Sequence, residues 1–459
     1  LKRAASNTLA SINIFADNDM IMKPNQCKRR DKKIAASLLL FAGLLAGRLL
    51  AGPVVMQTPP PAPVQPQEQV EDATNNDMAV FIPNANNHNG SLPEPFKFEG
   101  MVFRPHGDYQ FLYVNGMLAS PSNIHNTFIN TVTPGITVDL GRHWTLDYSP
   151  TLVFYSDSAF HNAVNQSVSL NGHTRYEDWV LNFSQTYTHS DATLSETATQ
   201  TKDDNFTTAI DVSHQLNDKF STDINLSQNL NFVQGLQDAR TWSTLDWLNY
   251  QVAKRLFIGV GAGVDYTTIT GSGADSVDEQ LQGRIQWRAT DKLSFTANAG
   301  LDYMQILAAG EKNPLNPIYG VGVQYMPFKQ TQISLNASRN VSSSDYYILA
   351  QNTESTTVSL NISQRLFEKF YLSGGFNYSH TDYTVTEPVV EITPGGILKA
   401  AALSNIRTDD EYSVNLRLSH VFLKRGNVAL TYQYSDYIST AGGYTYNSNQ
   451  VGVEVSFAY

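Results

Sequence analysis

Charged side chains in this sequence sit singly on runs where apolar and polar residues alternate. That spacing suits the wall of an aqueous passage better than a catalytic centre. By parity, Asp211, Asp223, Arg284, Arg288, Asp302, Arg365, Arg417 and Glu454 share the wet face of their runs with many Asn, Gln, Ser and Thr. Charges on such a wall tune ion selectivity. The plainer alternatives are that they pair across the interior or are simply solvated, and their mixed signs indicate no preference. Hydrolytic chemistry needs Ser/His or Asp/His groups at hydrogen-bond reach. The ten His are scattered instead, with His143 in an expected turn and His214 and His420 on apolar faces. No Gly-rich nucleotide loop or metal-ligand spacing occurs, so the chain reads as a non-enzyme without a cofactor.

The elements that place these residues are short strands. Ile210 and Val212 alternate with Asp211 and Ser213; Val358, Leu360 and Ile362 with Ser359, Asn361 and Ser363; Val414, Leu416 and Leu418 with Asn415, Arg417 and Ser419. Period two of this kind marks a strand wet on one face and greasy on the other. Short polar turns recur at Gly141-Arg142-His143, Tyr176-Glu177-Asp178, Asn217-Asp218-Lys219, Ala253-Lys254-Arg255, Thr290-Asp291-Lys292, Phe328-Lys329-Gln330, Phe367-Glu368-Lys369 and Lys424-Arg425-Gly426. Most lie 35–41 residues apart, with two strand-length runs and a longer polar segment in each interval. Short turns at one end and long loops at the other are the habit of membrane barrels.

A soluble β protein shows the same alternation, so the aromatics decide. Trp144, Trp179, Phe220, Phe257, Phe295, Phe328, Phe370 and Phe422 stand beside the short turns. Tyr187, Tyr303 and Tyr378 follow Trp179, Phe295 and Phe370 at a spacing of 8 residues, on the same face. Eight residues are about 26 Å of strand, or about 20 Å across a membrane at a tilt near 40°, close to the apolar band of an outer-membrane barrel. Two aromatic girdles at that separation have no use in water.

The expectation is an all-β fold: a transmembrane antiparallel up-and-down β-barrel of about 18 strands, with 16 as the runner-up. An even count places both termini on the short-turn, periplasmic side. Residues 96–106 either extend the first strand, cross the interior, or do neither. The longest loop, 384–408, either folds inward or binds a partner outside. Gly259, Gly261 and Gly263 share one face of a strand; they either admit a folded-in loop or a bulky solute, or relieve curvature, with curvature favoured. Val451, Val453, Val455, Phe457 and Tyr459 close the sequence in strict alternation. Phe457 and Tyr459 resemble the terminal signal by which outer-membrane assembly machinery recognises its clients.

Composition agrees. Charged residues make up 16% of the sequence, below the roughly 25% of soluble domains, and aromatics reach 11%. A formal charge of −11 excludes a nucleic-acid partner, which demands basic surface. The single Cys27 lies in a segment expected to be removed, so the mature protein carries none, which excludes disulfides, Cys-ligated zinc and thiol catalysis. Residues 1–19 read as an upstream non-native segment. Residues 20–51 carry a basic stretch, an apolar run from Ile34 to Gly47 and small residues up to Ala51, the order of a signal peptide. Residues 52–95, rich in Pro, Gln, Glu and Asn, read as a disordered linker, and 96–459 as a barrel in contact with outer-membrane lipid.

The barrel also resembles the β-barrel porins of bacterial exopolysaccharide gene clusters. The resemblance is carried by Phe103-Arg104-Pro105-His106-Gly107, Val132-Thr133-Pro134-Gly135, Asp139-Leu140-Gly141-Arg142-His143-Trp144, and the turns Asp218-Lys219-Phe220 and Asp291-Lys292-Leu293. It implies an outer-membrane pore serving polysaccharide export with periplasmic components, and it brings no site residues with it.

Overall fold

The computed structural model describes residues 96–194, 198–270, 275–307, 313–343, 352–393, 396–422 and 425–459. The upstream segment 1–19, the signal peptide 20–51 and the linker 52–95 lie outside the described residues.

Among the described residues the chain forms nineteen strands. They are β1 (Phe96–Phe98), β2 (Met101–Ser120), β3 (Asn123–Leu140), β4 (Trp144–Tyr155), β5 (Ala163–Tyr176), β6 (Trp179–Leu194) and β7 (Thr199–Gln215). Then come β8 (Phe220–Val233), β9 (Ala239–Ala253), β10 (Leu256–Ile269), β11 (Ser276–Thr290), β12 (Leu293–Ile306) and β13 (Leu315–Tyr325). The last are β14 (Thr331–Ser343), β15 (Asn352–Phe367), β16 (Phe370–Thr393), β17 (Gly396–Phe422), β18 (Gly426–Ser439) and β19 (Tyr446–Ala458). Each pairs antiparallel with the next, and β19 returns to β2 from Asn449↔Asn115 to Ala458↔His106. Strands β2–β19 therefore close an eighteen-strand barrel. Closure removes the free edges that an open sheet would expose.

Residues 101–106 extend the first barrel strand. Before them, β1 folds back on β2 through Glu99-Gly100, both at positive φ (47° and 85°), as a two-residue primed turn requires. The expected loop 384–408 is corrected. β16 and β17 run through it as one ribbon, pairing Thr384↔Asn405 out to Thr393↔Gly396 beyond a register shift at Tyr383/Thr384. The alternating Thr384-Val385-Thr386 start favours strand, and a pair of strands satisfies its backbone where a loop would rely on water.

Between the aromatic rims the exposed apolar side chains share one parity on each strand. Val260 is 63% exposed, Leu281 62% and Leu430 55%, and they belong to a continuous outward belt with Leu248, Ile285, Leu301, Leu416 and Val453. Soluble monomers rarely tolerate apolar patches beyond about 600 Å², so a belt around the whole barrel needs lipid. Aromatic pairs bound it. Trp179 stacks on His214 at 4.0 Å, Phe220 meets Tyr250 at 4.9 Å and Trp287 meets Phe295 at 5.5 Å near the short turns. Tyr187 meets Phe206 at 4.6 Å and Tyr378 meets Tyr412 at 4.9 Å at the other rim. The chain is a transmembrane β-barrel. Phe257 leaves the expected girdle: a register shift at Leu256/Phe257 precedes it, and it shares the inward parity of Gly259.

Candidate functional site: the barrel interior

The inward face is polar. All eight charged residues expected on it have the inward parity, and the structure joins four of them into two pairs. Asp223 of β8 is ion-paired with Arg284 of β11, three strands away. Asn249 of β9 bridges them, accepting from Arg284 Nε at 2.9 Å and donating Nδ2–H to Asp223 at 2.9 Å. Ser213 Oγ also donates to Asp223, at 3.0 Å. Arg417 of β17 donates to Glu454 of β19 at 2.8 Å, with both side chains at most 6% exposed.

The other four stand at separate places on the wall. Asp211 accepts from Asn225. Arg365 turns to the short-turn rim, donating to the Glu368 carbonyl at 2.7 Å, and Arg288 stands opposite Ser294 near the same end. Asp302 is 1% exposed, opposite Gln280 and Asn316.

Arg284 crosses two strands because β10 offers no side chains there. A Cβ on Gly261 would lie 2.6 Å from the Trp247 indole, and one on Gly259 would lie 2.6 Å from Asn249 Oδ1 and 3.1 Å from Arg284 Cγ. The glycine row is floor space for Trp247 and Arg284, which stack with the guanidinium carbon 4.3 Å from the ring centroid. What occupies the space over Gly259 and Gly261 is side chains of the barrel's own wall, neither a loop nor a solute.

Sequence reasoning missed Trp247, Asn249 and a second network at the long-hairpin end. There Arg407 is ion-paired with Asp409 at 2.7 Å and donates to Tyr437 at 3.1 Å, with no exposure of its own side chain. Its guanidinium carbon also lies 4.1 Å from the Tyr444 ring centroid. Beside it a recess of about 240 Å³ is lined by Thr353, Ser355, Ser379, Thr381, Tyr383, Asp409, Glu411 and Tyr437. Parity held the signal for Trp247, which is odd where the lipid-facing Trp242 and Tyr250 are even.

Histidines do meet carboxylates here, though far apart in sequence. His106 reaches Asp147 on the inner face and His125 reaches Asp157 of the connection after β4, both at 2.9 Å. His189 reaches Asp204 at 2.9 Å and His380 reaches Asp410 at 2.8 Å on the outer face. The outer pairs repeat one pattern, because Tyr187 and Tyr378 each donate to the same carboxylate at 2.8 Å. The segments read Tyr187-Thr188-His189-Ser190-Asp191 and Tyr378-Ser379-His380-Thr381-Asp382. Among the described hydrogen bonds no serine joins any of these histidines, and the pairs act as cross-strand staples. Beyond the strands, the Ala159 N–H and the His125 imidazole hold the Asp157 carboxyl below its ordinary range.

No known family profile matches the chain, and no curated protein matches it. Among solved structures it is similar to the outer membrane protein OpdK from Pseudomonas aeruginosa, at 11% identity and a TM-score of 0.42 over 78% of this chain and 98% of that one. It is similar to the FrpB iron transporter from Neisseria meningitidis at 8% identity and 0.44, over 78% and 81%. The siderophore receptor PirA from Pseudomonas aeruginosa matches at 10% identity and 0.41, over 80% and 81%. The barrel is assigned from its own hydrogen-bond ladder, which needs no support from likenesses at this level.

Proposed function

We propose that the chain is a porin-like channel of the bacterial outer membrane, with both termini periplasmic. The carrying observation is the division of the closed ladder, with apolar residues facing out all round and Asp, Arg, Asn, Gln, Ser and Thr facing in. A barrel of this strand number encloses more space than side chains alone fill, and a charged wall selects what enters. Assembly machinery that reads Phe457 and Tyr459 belongs to the same reading. It is supported by the outward alternation of Val451, Val453, Val455 and Phe457, each 38–48% exposed.

The narrower reading is a role in exopolysaccharide export together with periplasmic components. It draws on the sequence resemblance of the barrel to the porins of such gene clusters, and the hydroxyl- and amide-rich wall is compatible with a sugar chain.

The test is single-channel recording of the full-length chain refolded into planar bilayers. Steady openings support the channel. A folded protein that never conducts overturns a passive pore and leaves a partner-gated exporter or a structural barrel. Conductance that polysaccharide fragments leave unaltered argues for small-solute diffusion.

A further inference from the structure

Three inward arginines, Arg284, Arg417 and Arg407, are each engaged by a carboxylate already. A group of acids on β10–β12 has no such partner among the described ion pairs. Asp265 of β10 and Asp278 of β11 stand directly opposite each other, and the next inward residue of β11, Gln280, stands opposite Asp302 of β12. Directly opposed like charges destabilise a sheet, and a buried carboxyl either takes up a proton or keeps its charge against a compensating partner.

One further observation points to a ligand. Asp278 and Asp302 are 6% and 1% exposed, yet each keeps an oxygen without a hydrogen-bond partner. The surrounding wall is fixed rather than loose. Gln280 donates to Asp265 at 3.0 Å, Gln282 to Gln280 at 2.9 Å and Asn298 to Gln282 at 3.0 Å. Gly300 makes way for this ladder, since a Cβ there would come 2.7 Å from Gln282 Cγ.

We propose that Asp265, Asp278 and Asp302 form a cation-binding station in the wall of the interior, which takes a small hydrated cation and favours cations over anions in passage. Among the described residues no three His, Cys, Asp or Glu side chains are arranged to hold a bare metal ion. The fitting ligand is therefore a cation that keeps part of its water shell, as hard divalent ions do when few carboxylates bind them directly. The selectivity rests on the channel reading; the binding does not.

The experiment uses the full-length folded chain twice. Calcium is titrated into it by calorimetry, and the reversal potential is read across a potassium chloride gradient in planar bilayers. The expected result is calcium binding that is lost in Asp278→Asn/Asp302→Asn, with a potassium preference that falls in the same variant. Asp265→Asn, which keeps the two most buried carboxylates, gives a partial loss and replaces the double variant should that fail to fold. Calcium binding that is absent, or equal in wild type and variants, overturns the station. Equal reversal potentials overturn its part in selection. A chain that binds calcium through these residues but never conducts upholds the station and overturns the channel.

Discussion

Arg284 lies over Trp247, 4.3 Å from guanidinium carbon to ring centroid, and from there reaches Asp223 on the far side of β9. The stack exists because Gly259 and Gly261 of β10 leave its path open. Gly261→Val is expected to force the indole out of its place. Overpacking of this kind costs about 1–3 kcal/mol, read as a lower urea midpoint of the refolded barrel. A methyl added at Gly283 would meet nothing nearer than 3.9 Å, so Gly283→Ala serves as the control and leaves the midpoint unchanged.

Glu454 and Arg417 form the most enclosed of the described pairs that join β17 to β19. Glu454→Leu strands a buried guanidinium, and breaking such a pair from one side costs about 3–5 kcal/mol. Arg417→Met on top of it restores most of that loss. A double-mutant cycle on urea unfolding gives the coupling, and additive losses would show that the two charges do not act together.

The outward belt makes its own prediction. Leu416, 48% exposed, lies midway between the rims marked by His420 and Tyr412. Leu416→Arg is expected to cost about 2–4 kcal/mol, as cations at the midplane of a lipid face do. The neighbouring Asn415→Arg faces inward and costs far less. Refolding yield in lipid vesicles separates them, and equal losses would contradict the assigned faces.

The connection after β4 is pH-dependent through Asp157. Its carboxyl is held low by the Ala159 N–H and the His125 imidazole, so the folded connection is favoured above the ordinary carboxylate pKa of about 4. That favour disappears as pH falls through the lowered value. Proteolysis of the 156–162 segment is expected to rise on strong acidification, and Asp157→Asn to remove the pH step.

Much of this was legible in the sequence. The alternation at Val414, Leu416 and Leu418, with Arg417 between them, assigns both faces of β17 without a structure. The turn beat sets the strand number, because each short turn needs its own punctuation. Pairing was not legible: Asp223 and Arg284 stand 61 residues apart, and no local pattern reports a contact made across two intervening strands. The glycine row did not announce Trp247 or Arg284, because the side chains that lie over it come from other strands. The ribbon of β16 and β17 was hidden by Pro388 and Gly396, residue types that punctuate loops but also sit at strand edges and bends. The acids of β10 and β11 escaped because Asp265 and Asp278 meet only after the hairpin between them closes.

The seam between β19 and β2 joins residues more than three hundred positions apart, so the sheet's first and last edges meet only when every intervening hairpin is in place. Until then both edges carry unsatisfied amides in an environment that cannot solvate them. The barrel consequently has no half-finished resting state in lipid. Closing that one seam satisfies both open edges in a single step.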